Sequence, residues 1–215
     1  SVIPSLTRKS DGKNDTLWLE RVEAGADLEN GLQKALDETI AKLPIPKVMT
    51  YQQADGWSNI KFVRPVHRLV AMHGSEIINV EALGVQSSNV TEGHRFESPN
   101  ETVTLSNADT YAEQLCTDGA VIASYSERRA DIQKQLLAKS KSEGLTPIED
   151  AELLDEVTSL VELPNVLLCQ FDEDFLTVPP ECLILTMKLN QKYFPLLKAN
   201  GKLSNRFLIV SNITP

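Results

Sequence analysis

Lys61-Phe62-Val63-Arg64-Pro65-Val66-His67-Arg68-Leu69-Val70-Ala71-Met72-His73-Gly74 passes from a basic, proline-stiffened half to an apolar half and stops at a glycine. Ser75-Glu76-Ile77-Ile78-Asn79-Val80-Glu81-Ala82-Leu83-Gly84 follows, then a polar loop that closes on Gly93-His94-Arg95-Phe96. Leu69–Met72 and Ile77–Leu83 read as two strands joined at Gly74-Ser75, which supplies the tight turn. All three histidines of the chain (His67, His73, His94) and Arg64, Arg68 and Arg95 fall in this segment. In a chain of net charge −9, that gathering predicts a local positive face. Pro65 restrains Arg64, Gly93 lets the chain turn before His94, and fixed backbone beside cations suits a phosphate or carboxylate. Taken singly, the plainer account of each residue is an ordinary surface charge or a strand imidazole with a satisfied nitrogen.

Working outward, residues Ser5 to Asp15 read as a polar loop and Thr16–Val22 as a strand closed by Gly25. Leu28, Leu32, Ala35, Leu36, Ile40 and Leu43 recur at helical spacing behind Asp27, a suitable N-cap, and Pro44 and Pro46 end that helix. Lys47–Ile60 reads as a connector. Beyond Phe96, Glu101–Leu105 reads as a strand, Asn107 caps a short helix over Ala108–Thr117 that ends at Gly119, and Val121–Ala123 is a short strand or buried turn. Ser124 and Glu127 have capping-box spacing for a helix through Ser142, stopped by Gly144. A solvated face is the plainer account of that helix's charges. Another helix spans Glu149–Glu162, an apolar run Asn165–Cys169 reads as an interior strand, and Pro179-Pro180 opens a helix to Asn190. Tyr193–Lys198 and Arg206–Val210 flank Asn200-Gly201 as a hairpin. The order of elements predicts an α+β fold, mixed and mostly antiparallel sheets with packed helices, as a single piece over 1–215 or two subdomains of about 1–100 and 101–215.

The 215 residues, 41% hydrophobic and 24% charged, are those of a globular protein with room for a sizeable core. No apolar run approaches membrane-spanning length. Cys116, Cys169 and Cys182 are widely spaced and read as reduced, buried thiols. The acidic balance argues against a general nucleic-acid coat while leaving room for a local basic patch. The start, Ser1-Val2-Ile3-Pro4, lacks a methionine and points to a piece of a longer chain. No Gly-rich phosphate loop, zinc-ligand spacing or nucleophile elbow is present, so no residue is nominated as catalytic or metal-binding. The acidic Asp172-Glu173-Asp174 reads as a charged turn.

Phe62-Val63-Arg64-Pro65-Val66-His67, Gly93-His94-Arg95-Phe96, Glu127-Arg128-Arg129, Leu153-Leu154-Asp155-Glu156-Val157-Thr158-Ser159-Leu160-Val161-Glu162-Leu163-Pro164 and Gln191-Lys192-Tyr193-Phe194-Pro195, in that order, resemble the β subunit of the two-subunit bacterial glycyl-tRNA synthetases. The resemblance runs from Trp18 to Val210 and implies an internal piece from the amino-terminal half of a longer subunit. It departs at Met49-Thr50-Tyr51, where the family usually has Met-Arg-Trp, and at Arg68, where tryptophan is commoner. The family implies cytoplasmic aminoacylation in which glycine activation with ATP and magnesium occurs on the α chain. This chain would then contribute tRNA(Gly) binding and assembly with the α chain and the remaining β domains, with no membrane and no cofactor of its own. The resemblance assigns no RNA contact here. Charge and motif position nominate Arg64, His67, Arg68, His94, Arg95, Arg128, Arg129, Lys188 and Lys192. Arg64, Arg68, His94 and Arg95 are expected on neighbouring surfaces. The competing expectation is a scaffold whose motifs are packing determinants.

Overall fold

Helices and mostly antiparallel strands follow one another without regular alternation, giving the α+β architecture that the element order predicts. The computed structural model describes residues 6–10, 12–19 and 25–214, in two units, Ser1–Lys47 and Val48–Pro215.

In the first unit, the polar loop forecast over residues 5–15 is replaced by a strand. Leu6–Ser10 pairs antiparallel with Asp15–Leu19 around Gly12, whose φ is +88°. Both strands are exposed throughout, so no apolar alternation announces them. Cross-strand contacts hold them instead: Arg8 pairs with Asp15 at 2.5 Å and the Lys9 ammonium sits 4.8 Å from the Trp18 ring. Ser5, Asp11 and the forecast strand's Glu20–Val22 lie outside the described residues. Helix α1, Leu28–Lys42, begins after Asp27 as expected, and Asn30 donates to the Asp27 carboxylate at 2.8 Å. Its residues are all exposed or half-buried.

In the second unit the forecast connector is a hairpin, Met49–Gln52 against Asn59–Phe62. Asp55 builds its turn by accepting the backbone N–H groups of Trp57 and Ser58 at 2.9 Å each and the Ser58 hydroxyl. Those bonds, the Ser58 hydroxyl foremost, hold the Asp55 carboxyl below its ordinary range. The forecast Gly74-Ser75 turn is present but joins strands only two residues long, Met72–His73 and Glu76–Ile77. Leu69–Val70 runs parallel to Val85–Ser88, and Glu81–Ala82 folds back on that strand through Leu83-Gly84, both at positive φ. The long second strand fails because Ser87 intervenes. Its hydroxyl accepts from Val80 N at 2.9 Å and donates to Ile78 O at 2.7 Å, taking places a strand ladder would fill.

Val90–Thr91 then pairs with Val103–Thr104. Asn107 caps a 3-10 turn, Ala108–Thr110, that leads into α2, Tyr111–Gly119. The left-handed residue that ends α2 is Ala120, with φ +52°, one position past the forecast glycine. Val103, Leu105 and Leu115 form a small core with Val70, Met72, Val121 and Ala123.

The carboxy-terminal part has the larger core. Helix α3, Tyr125–Ser142, starts where Ser124 accepts from Glu127 N, and α4, Ala151–Leu160, starts where Asp150 accepts from Leu153 N. Both pack on an antiparallel four-stranded sheet ordered Thr146–Pro147, Phe194–Leu197, Leu203–Ser211, Asn165–Gln170. Ile132, Leu136, Leu153, Leu154, Val157, Val166, Leu196 and Leu208 meet between them, where apolar burial supplies most of the driving force. Asn165–Gln170 is an edge strand and not an interior one. Its apolar run reflects packing against the helices, which bury Val166 fully. Helix α5, Pro180–Leu189, opens with proline in its first turn as forecast. Tyr193, Phe207 and Phe171 stack in series, with centroids 4.7 and 6.2 Å apart.

All three cysteines are free thiols, but the expected burial fails: Cys116 and Cys182 are exposed and Cys169 is half-buried. Cys116 follows the buried Leu115 on α2, and Cys182 lies in α5, whose buried residue is Met187. A helix that buries a narrow stripe leaves such positions in solvent.

Candidate nucleic-acid interface

The basic stretch bridges two strand systems. Asn59–Phe62 ends the 49–62 hairpin, Leu69–Val70 enters the parallel pairing, and residues 63–68 between them form no strand. Pro65 explains that gap, since it donates no hydrogen bond and restricts the residue before it. Arg64, His67 and Arg68 are exposed on this unpaired stretch. Arg68 Nε reaches Glu92 Oε1 at 3.4 Å. That ion pair sets the stretch against the segment leading into the turn at Gly93-His94-Arg95-Phe96.

His94 does not join them on the surface. It is 2% exposed, and its Nδ1 accepts the backbone N–H groups of Phe96 and Glu97 at 3.2 Å each. Nδ1 must then be the unprotonated nitrogen, which puts the proton on Nε2. Nε2 is buried and meets no hydrogen-bond partner among the described residues. The histidine of this motif is thus a turn-closing residue. Gly93 is also present for a different reason from the one forecast. A Cβ there would lie 2.6 Å from the Cα and carbonyl oxygen of Gly119 and 2.4 Å from Ser98 Oγ. Close approach, and not a left-handed turn, requires the glycine. Around this pin Ser98 N donates to His94 O at 3.0 Å and His94 N donates to Gly119 O at 2.6 Å. The turn thereby offers Arg95 and Phe96 to solvent, with the guanidinium carbon 5.6 Å from the ring centroid.

The remaining candidates lie in the carboxy-terminal part and are engaged in the fold. Arg128 donates to the carbonyls of Ile122 at 2.6 Å, Ala123 at 3.1 Å and Thr158 at 3.3 Å, tying the linker before α3 to the last turn of α4. Arg129 pairs with Asp155 across the same two helices, and that hydrogen bond raises its pKa further. Lys188 pairs with Asp150, and Lys192 pairs with Glu156 at 2.9 Å. The Leu153 N–H first, and Lys188 second, hold the Asp150 carboxyl below its ordinary range. These four line helix joints, and every one has a partner from another element.

Lys188 and Lys192 flank a groove of about 510 Å³ between α4 and α5. A second groove of about 660 Å³ runs between α5 and the hairpin at Gly201, with an apolar floor including Leu176, Leu183 and Leu203. Leu185 and Leu189 of α5 are exposed beside the first. Phe96 is the feature that the list of candidate cations missed. The signal lay in the sequence: an aromatic residue directly after an arginine, in a motif already singled out.

Comparison with known proteins places the chain in context. A family model described as "Glycyl-tRNA synthetase beta subunit" matches residues 2–215. The chain is 61% identical to the glycine–tRNA ligase β subunit of Leptothrix cholodnii over 215 residues, all of this chain and 30% of that protein. It is also 61% identical to the one from Methylobacillus flagellatus, again over 30% of its length, and 58% identical to the one from Thiobacillus denitrificans, over 31%. The chain therefore spans about a third of the length of the curated relatives it matches. Among the described residues, no helix is long and apolar enough to cross a membrane.

Proposed function

This chain belongs to the glycyl-tRNA synthetase β-subunit family, and we propose that it serves that cytoplasmic enzyme by holding tRNA(Gly) and helping to assemble the subunits. Glycine activation with ATP and magnesium is assigned to the α chain. The observation that carries the RNA reading is the exposed basic stretch Arg64–Arg68, set by the Arg68–Glu92 ion pair against the turn that presents Arg95. Cations on a fixed backbone neutralise phosphates without ordering a loop first. The four cations committed to helix joints take no part in it.

A second reading, as a scaffold for the α chain or the rest of β, is favoured by one feature: the open apolar grooves beside α5, with Leu185 and Leu189 exposed. The two readings use different surfaces and both can hold. The test is to change Arg64, Arg68 and Arg95 together to glutamine in the complete two-subunit enzyme. The Michaelis constant for tRNA is expected to rise with those for ATP and glycine unchanged. A variant that folds and keeps all three constants would refute the RNA reading. Glycine-dependent ATP–pyrophosphate exchange by this piece without the α chain would refute the division of labour.

A further inference from the structure

We propose that Phe96, with Arg95 on it, is a stacking platform for one unpaired base of the RNA, and that His94 is the positioning residue that fixes it. The proposal rests on the reading that this chain contacts tRNA and names the kind of contact it makes.

Phe96 is 73% exposed, so its ring adds little to the core. Its backbone is nonetheless fixed from several sides. His94, buried beneath, accepts the N–H groups of Phe96 and Glu97, and Gly93 abuts Gly119 at the end of α2. Ser98 Oγ donates to Asp118 O at 3.2 Å, and the Glu97 carboxylate accepts Thr214 N at 2.7 Å, beyond the last strand. A ring on such a turn meets a ligand with little ordering left to do.

The chemistry of the pair selects the ligand. The residues around Phe96 in sequence are Arg95, Glu97, Ser98 and Pro99, a polar neighbourhood rather than a broad apolar patch. An apolar socket closing over Phe96 would have to desolvate the adjacent guanidinium, which has no carboxylate partner among the described residues. A nucleotide uses both groups: the base stacks on the phenyl face while the guanidinium reaches its phosphate or lies on the base. His94 acts through the backbone and touches no ligand. Its role requires the proton on Nε2 and a bare Nδ1.

The test uses the complete two-subunit enzyme and tRNA. Phe96→Leu is expected to weaken tRNA binding by about tenfold or more, with the dependence on salt unchanged. Phe96→Trp should bind like wild type and lose tryptophan emission when tRNA is added, the mark of a base on the indole. The imidazole nitrogen resonances of His94 should show the Nε2–H form, and His94→Ala should weaken tRNA binding as Phe96→Leu does. Wild-type affinity in Phe96→Leu, together with loss of affinity in the triple arginine variant, would overturn the platform and leave the tRNA reading standing. Wild-type affinity in both would overturn both. Dissociation of the subunits by Phe96→Leu, seen by sedimentation, would make Phe96 a protein anchor and overturn the platform.

Discussion

Gly93 and Gly119 touch backbone to backbone: a Cβ on Gly93 would stand 2.6 Å from the Gly119 Cα. Real Cβ atoms do not come that near, and the obstruction is main chain on the far side, which cannot rotate away. Gly93→Ala is therefore expected to destabilise the protein by about 1–3 kcal/mol and to free the turn that carries Phe96. Urea denaturation gives the first effect and tRNA affinity the second. An alanine variant as stable as wild type would show that the approach is looser than described.

Arg128 separates a structural cation from an RNA-binding one. Its three carbonyl acceptors predict that Arg128→Lys, with a single ammonium in place of the planar fork, costs about 1–3 kcal/mol of stability. The salt dependence of tRNA binding should stay as it was. Unchanged stability with a reduced salt dependence would return Arg128 to the interface.

Asp150 couples α4 to α5 through its cap on Leu153 N and its pair with Lys188. Its carboxyl titrates below the ordinary 3.8, so it binds protons less readily folded than unfolded. The stability it contributes is present above the ordinary value and is lost as pH falls through the lowered one. Asp150→Ala should cost about 1 kcal/mol near neutral pH, a difference that shrinks in acid. A gap that does not change with pH would contradict the linkage.

Thiol labelling of the native protein should modify Cys116 and Cys182 quickly and Cys169 more slowly, following their exposure. Equal protection of all three would restore the burial that the sequence suggested.

How far the sequence could be read depended on whether local chemistry or distant packing decided the element. The start of α3 is written in Ser124, whose side chain closes its own first turn, and the Gly201 hairpin turn is local too; α4, expected from Glu149, starts after Asp150, whose side chain caps it. The Leu6–Ser10 and Met49–Gln52 strands were illegible because their side chains face solvent and their stability comes from pairing across a turn. The site divides in the same way. Exposure of Arg64 and Arg68 follows from Pro65 and charge. The burial of His94 depends on where Phe96 N and Glu97 N point, and the hold of the half-buried Arg128 on α4 depends on the Thr158 carbonyl thirty residues away, which no spacing rule encodes.

The most direct test of the account is the slope of log Kd against log salt for tRNA and the complete two-subunit enzyme, wild type beside the triple variant Arg64→Gln, Arg68→Gln, Arg95→Gln. Each phosphate contact contributes about 0.7–0.9 to that slope. The account predicts that the triple variant's slope is shallower by about two, with folding and subunit assembly intact. Equal slopes in a properly folded variant would contradict it.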